Sequence, residues 1–393
     1  MEGIRTAIIG VGNMGLAHAS CLWEGNAGAL RLSAVCDVAP ERLALCRERF
    51  PGVRCFANWR ELIAQGEVQA VIIATPHPLH GQIAAACLDA GLHTLVEKPA
   101  DISLSRAQAI SAAARRSGKV YAIMLNQRTN PLFRRCREIV QGGELGALKR
   151  SVWIITNWYR TQHYYDSGAW RATWGGEGGG VLLNQAPHNL DLWQWICGMP
   201  QTVTAWCEQA KYHRIEVEDE ATLMVRYAGG ATGLFVTSTG EYPGTNRLEI
   251  SGTRGKLVLE NGVLKWWKLQ EPEDQVRFAS QENFARLDTE YVELRAEEPE
   301  SAHPGILRNF AAAIASGEPL ISPGWEGERE LTLSNAAYLS QWQGNRPVEL
   351  PFDTALFDQL LAQHAATSIY DPARAARGQE DTGEYSERWQ VRW

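Results

Sequence analysis

In the first third of the chain, short apolar runs at residues 6–9, 32–36, 70–74, 93–96 and 119–124 alternate with helix-like stretches at 40–50, 79–90 and 103–117. No other feature narrows the fold as far. A strand that is apolar on both faces needs cover on both faces, and amphipathic helices threaded between such strands supply it in a doubly wound parallel sheet. Residues 1–126 are therefore expected to form an α/β Rossmann-type domain.

After Asn126 the pattern changes. A helix is expected at 131–141 and a glycine-rich turn at 144–146; segments at 202–209, 220–227, 231–239, 247–251, 256–259 and 263–268 then alternate apolar and polar residues. A period of two with one wet face describes a large, mostly antiparallel open sheet, so residues 127–393 read as an α+β domain. Helical spacing at 306–316 and 327–338 assigns both segments to the dry face of that sheet. Residues 374–384 read as polar loop, and the apolar close Trp389-Gln-Val-Arg-Trp393 as a segment that docks on a neighbouring surface or subunit. A length of 393 residues is enough for two such cores.

The net charge of −7 comes without any basic block, which argues against nucleic acid as the main partner. Eight cysteines form no C-x-x-C pair and lie mostly among apolar neighbours, as reduced thiols of a cytoplasmic protein would. The sequence has no signal-length or bilayer-length apolar segment, so neither export nor membrane insertion is expected. His163 and His303 lack a spaced third ligand, and no metal is expected.

The first apolar run ends in Gly10-Val-Gly12-Asn13-Met14-Gly15, directly before a helix expected at 16–23. Glycines there allow a tight turn and close backbone approach to a pyrophosphate, whose charge the helix N-terminus favours. Asp37 closes the second run, about twenty residues on, where a carboxylate accepts hydrogen bonds from both ribose hydroxyls and repels a 2′-phosphate. That favours NAD over NADP, with a plain capping acid as the alternative role for Asp37. Thr75, Pro76, His77 and His80 end a third run at the same edge, His80 packing against the next helix or joining the cofactor site. Glu97-Lys98-Pro99 ends a fourth, and Asn126-Gln127-Arg128 follows the last, with Gln127 and Arg128 facing the cleft between domains. Lys98 is a fixed cation where a nicotinamide would lie.

A second polar constellation follows flexible glycines in Gly178-Gly179-Gly180-Val-Leu-Leu-Asn184-Gln-Ala-Pro-His188-Asn-Leu-Asp191. The segment turns helical at Pro187, and spacings of three and four place Asn184, His188 and Asp191 on one face. His188 is suited to take the proton of a secondary alcohol, with Asp191 orienting its ring; a structural buried histidine is the bland alternative. Between the domains, Tyr159, Arg160, Tyr164, Tyr165, Trp170 and Arg171 offer rings for a pyranose face and donors for its hydroxyls or for an anionic substituent. An oligomer contact would use the same residue types.

Taken together, the glycine fingerprint, Thr75-Pro, Glu97-Lys98-Pro99, the glycine run before His188, Val217-Glu-Asp219 and Ile250-Ser-Gly-Thr-Arg-Gly255 resemble the Gfo/Idh/MocA family (glucose-fructose oxidoreductase and inositol dehydrogenase) over nearly the whole chain. The resemblance implies NAD(P)-dependent oxidation or reduction of a sugar, glycoside or cyclitol, a dimer or tetramer built by stacking open sheets, and catalytic roles for Lys98 and His188. In one respect the chain departs: the family often has an aspartate four residues before its histidine, where this chain has Asn184. An amide holds a substrate hydroxyl but cannot take its proton, which moves the base role to His188, or to Lys98 if burial depresses its pKa. The leading expectation is an NAD-dependent dehydrogenase of a pyranoside or cyclitol. Two readings stay open beside it: a redox-neutral NAD-dependent glycosidase that oxidises, eliminates, adds water and re-reduces, and a non-catalytic NADH-binding sensor.

Overall fold

The computed structural model describes residues 3–297 and 301–370; the segments at 374–384 and 389–393 lie outside them. Six parallel strands form the first sheet: β1 (Ile4–Ile9), β2 (Leu30–Cys36), β3 (Arg54–Phe56), β4 (Ala70–Ile73), β5 (His93–Val96) and β6 (Tyr121–Ile123), in the order β3-β2-β1-β4-β5-β6. Every residue of β4 is buried, as a strand covered on both faces requires. One face packs Ile8, Leu22 and Leu30; the other packs Ile9, Val71, Ile83 and Ile110. The strand order reverses between β1 and β4, which opens a crevice at their carboxyl ends where doubly wound sheets bind ligands.

The second sheet has nine strands: β7 (Leu148–Ile155), β8 (Thr202–Gln209), β9 (Glu218–Arg226), β10 (Thr232–Ser238), β11 (Asn246–Gly252), β12 (Gly255–Glu260), β13 (Val263–Leu269), β14 (Thr289–Arg295) and β15 (Val348–Glu349). Their order is β14-β13-β12-β11-β7-β10-β9-β8-β15, and the β7–β10 pair alone is parallel. Burial alternates along β8 and β9, so one face is dry and the other wet. The helices Pro131–Gln141, Pro187–Cys197 and Gly327–Trp342 fill the dry face through Phe133, Trp193 and Tyr338.

The helix Ala302–Ser316 does not share that face as its spacing suggested. Ile306, Leu307, Phe310 and Ala311 join Ile4, Ile8 and Leu30 on the first sheet, which its helical stripe fits equally well. Among the described residues all eight cysteines are unpaired, and no helix is long and apolar enough to cross a membrane.

Candidate active site

Four strand ends of the first sheet meet at one edge. Gly10 turns at φ +87°, and a Cβ there would lie 2.6 Å from the carbonyl oxygen of Ala74 at the end of β4. The loop thus hugs the neighbouring strand, and only glycine fits. Gly12 caps the helix Asn13–Trp23, whose first turn carries no acidic residue and no side-chain cap, so its positive end is open to an anion. Met14 and Gly15 lie in that turn. The Asp37 carboxylate, just after β2, accepts from the backbone amides of Val11 at 2.7 Å and Ala39 at 2.9 Å. This fixes the glycine loop and leaves further lone pairs on both oxygens.

At the same edge, buried polar atoms lack partners: Thr75 Oγ1, His77 Nδ1, Asn126 Oδ1 and Gln127 Oε1. Burying such atoms unpaired costs about 1–3 kcal/mol each, so their gathering along one edge fits a bound dinucleotide. Pro76 stands exposed between Thr75 and His77. Burial holds His77 well below the usual histidine pKa.

Two residues of this edge serve the scaffold instead. His80 is fully buried, with Nδ1 2.8 Å from the Pro99 carbonyl oxygen and Nε2 2.7 Å from that of Thr75. It ties the ends of β4 and β5 together and has no polar atom left for a cofactor. Glu97 is bonded to His18 Nε2 at 2.7 Å; burial pushes its carboxyl up, but the His18 hydrogen bond and charge prevail and hold it at about 2. Sequence reasoning missed His18 and weighed His303, whose ring lies 5.8 Å from His18, only against a metal site.

Lys98 leaves the end of β5 and donates from Nζ to the Asn184 backbone carbonyl at 2.7 Å. Burial pulls its ammonium below the usual lysine pKa, while Glu97, Glu330 and Glu177 pull it back up. His188, on the first turn of the helix Pro187–Cys197, has a buried Nδ1 without a partner. Burial first, then the Lys98 charge, holds its pKa well below the usual value, so its ring is neutral at neutral pH.

Asp191 does not orient His188. It is bound by Arg128 at 2.6 and 2.8 Å and by Gln194 at 3.0 Å. Arg128 likewise does not face the cleft: it is fully buried, also pairs with Glu326, and reads no substrate. The single helical face expected for Asn184, His188 and Asp191 is interrupted, since one short helix covers Val181–Asn184 and a second starts at Pro187. Nor do the glycines before them supply flexibility; a Cβ on Gly180 would fall 1.9 Å from the Glu218 carbonyl oxygen, so the run is a site of close packing.

Of the aromatic segment, Trp170 sets its ring 6.1 Å from His77, which brings it to the cofactor edge. The Arg171 guanidinium lies 4.4 Å over Trp170 and 4.7 Å over Tyr164, and donates to the Tyr164 hydroxyl at 3.0 Å. Arg160 covers the same Tyr164 ring at 5.1 Å. Tyr165 is buried and its hydroxyl is bonded to Thr239, which removes it from ligand contact. Tyr159 is exposed and packs edge-on against Tyr242.

Glu177 is the acid that sequence reasoning missed. It is buried beside the glycine run, accepts from the Asn184 side-chain amide and from the Ala172 amide at 2.6 Å, and is pushed by burial to about 7. Its only signal was a lone carboxylate in Gly175-Gly-Glu177-Gly-Gly-Gly180. Among the described residues no cluster of three metal-ligating side chains is present.

A dinucleotide edge that presents a lysine to a neutral histidine is the arrangement of an NAD-binding oxidoreductase. The chain belongs to the Gfo/Idh/MocA family: residues 4–125 match the oxidoreductase family's NAD-binding Rossmann fold and residues 133–258 its C-terminal domain. It is 26% identical to the levoglucosan dehydrogenase of Pseudarthrobacter phenanthrenivorans over 66% of this chain and 74% of that one. It is 24% identical to the myo-inositol 2-dehydrogenase of Thermotoga maritima over 85% of this chain and 95% of that one. A similar solved structure is the WlbA dehydrogenase of Chromobacterium violaceum, in complex with NADH and UDP-GlcNAcA, with TM-score 0.77 and 28% identity over 90% of this chain and 97% of that one.

Proposed function

We propose that the protein oxidises a secondary ring hydroxyl of a pyranose, glycoside or cyclitol, or reduces the corresponding ketone in reverse. The observation that carries this reading is the Lys98 ammonium, anchored on the Asn184 carbonyl and close enough for its charge to act on His188, whose buried Nδ1 has no partner. Gly10, Gly12, Asn13, Gly15, Asp37, Thr75, His77, Asn126 and Gln127 are the residues that would hold NAD, which supplies the hydride acceptor when bound. Lys98 donates to the substrate oxygen and stabilises the negative charge that develops there. His188 takes the hydroxyl proton on a ring nitrogen; its depressed pKa keeps the ring free to accept and makes it a transient carrier. Trp170, Arg171 and Tyr164 form a wall suited to a sugar ring, where the arginine's charge favours an anionic substituent. The similarity to levoglucosan and inositol dehydrogenases supports a polyhydroxylated ring as the substrate class.

Incubation with NAD and a panel of sugars, glycosides and cyclitols is expected to give NADH absorbance with at least one of them. Release of a chromogenic aglycone with no NADH accumulation would overturn net oxidation. Lys98→Met and His188→Ala should each lower kcat by roughly 10²–10⁴-fold while NADH still binds, the range expected for a lost general base or charge stabiliser. Unchanged turnover in either variant would refute its role.

A further inference from the structure

We propose that Glu177 is the working carboxylate of this site: it orients the Asn184 amide and supplies the negative charge that an aspartate at position 184 would carry. The inference rests on the dehydrogenase reading for its effect on turnover, while the link from Glu177 through Asn184 to Lys98 stands on two hydrogen bonds that do not depend on that reading.

The Asn184 Nδ2 donates to Glu177 Oε1, and the Ala172 amide donates to Oε2. The Nδ2 bond uses one of the two Nδ2 hydrogens and fixes which way the amide faces, with Oδ1 as its acceptor. In this orientation Asn184 offers a substrate hydroxyl its Oδ1 as an acceptor, the polarity needed to hold a hydroxyl whose proton leaves toward His188. Meanwhile the Asn184 backbone carbonyl holds Lys98 Nζ at 2.7 Å, so one residue links the buried acid to the cation. A carboxylate that is only 2% exposed is costly unless cations compensate it, and the charges acting on Glu177 are Arg171 and Lys98. Compared with an aspartate at 184, the charge is set back by one side chain. It still balances Lys98, but it does not compete for the substrate proton. Glu177 is thus a positioning residue, one hydrogen bond removed from the reacting atoms.

The alternative is that Glu177 only closes the turn from Ala172, a role that Glu177→Gln retains through its remaining carbonyl oxygen. Enzyme carrying ¹³C at lysine Cε, with the Lys98 resonance assigned by its loss in Lys98→Met, reads the Lys98 titration without substrate or cofactor. Glu177→Gln is expected to lower that midpoint by about one pH unit, and Glu177→Gln with Asn184→Asp to restore it. A Lys98 midpoint that does not move overturns the proposal. By reciprocity, Lys98→Met should raise the midpoint of the Glu177 carboxyl, which keeps the test decisive if Glu177→Gln does not fold; an unmoved Glu177 midpoint has the same overturning force. On a substrate found in the panel, Glu177→Gln should lower kcat about tenfold or more with little change in KM; wild-type activity should rise through pH 7 as Glu177 ionises, and the variant should lack that rise. If no substrate turns over, the dehydrogenase reading fails, and the two titrations still decide the role of Glu177.

Discussion

Asp37 does two jobs with one carboxylate. Its two backbone bonds, to Val11 and Ala39, set the glycine loop, and in the proposed NAD site its remaining lone pairs would accept from the ribose hydroxyls. Hydrogen bonds to a charged acceptor contribute about 1.5–3 kcal/mol, so Asp37→Ser should weaken NADH binding roughly 10–100-fold and narrow the gap to NADPH, as read by fluorescence titration of both. At this scale the sequence was informative where chemistry follows chain order: the glycines, Asp37 and Lys98 stand next to strand ends, and a strand end faces the crevice. It was silent where a side chain's meaning comes from a distant partner. His80 looks the same in sequence whether it faces a cofactor or, as it does, the carbonyls of Thr75 and Pro99. Arg128 reads as a ligand-binding arginine until the buried Asp191 and the partly buried Glu326 close around it. Glu177 has no periodicity to announce it, and only the fold brings Asn184 onto it.

Among the elements, the turn before Asn184 depends on another buried acid. Glu218, at the start of β9, accepts from the amides of Gly180 and Leu182 and from the Tyr338 hydroxyl at 2.7 Å, and burial raises its carboxyl to about 7. A carboxyl whose pKa is raised by folding stabilises the native state most below the unfolded value near 4.5, and that stability is lost as pH rises through 7. Thermal unfolding of Glu218→Gln should therefore depend less on pH between about 4.5 and 8 than wild type does. A parallel pH dependence in both proteins would show that the neutral carboxyl does not matter to the turn. Elements with a clean period were legible: the expected β5 coincides with His93–Val96, and the helix expected at 103–117 forms as Leu104–Ser117. The strand β7 was not, although it lies at the centre of the second sheet. Its first half, Leu148-Lys-Arg-Ser, is mostly polar, with Lys149 and Arg150 exposed, and its apolar end is too short to count alone. The edge strand β3 has three residues, below the length at which any period can be read.

Across the whole molecule, Arg128 joins three distant segments: the turn Asn126–Thr129, the helix Pro187–Cys197 and the turn Gly324–Glu326. Removing one member of a buried ion cluster leaves the others uncompensated, at a cost of about 3–5 kcal/mol. Arg128→Met should lower Tm markedly in calorimetry, whereas a surface pair such as Arg116 with Asp89 should contribute about 0–1 kcal/mol, so its loss barely registers. The global arrangement was the least legible level, because helical stripes state that a helix must be covered and leave open by what. The helix Ala302–Ser316 carries such a stripe and covers the first sheet, from which it is separated in sequence by the whole of the second sheet up to β14. Protein synthesis runs from the N-terminus, so β1 to β6 leave the ribosome long before this helix does. Until it arrives, Leu22 and Leu43 of the early helices cover the Ile8 and Leu30 face only in part, and the growing chain passes through an interval in which the remainder, later capped by Ile306, Leu307 and Phe310, is open to chaperones and to aggregation.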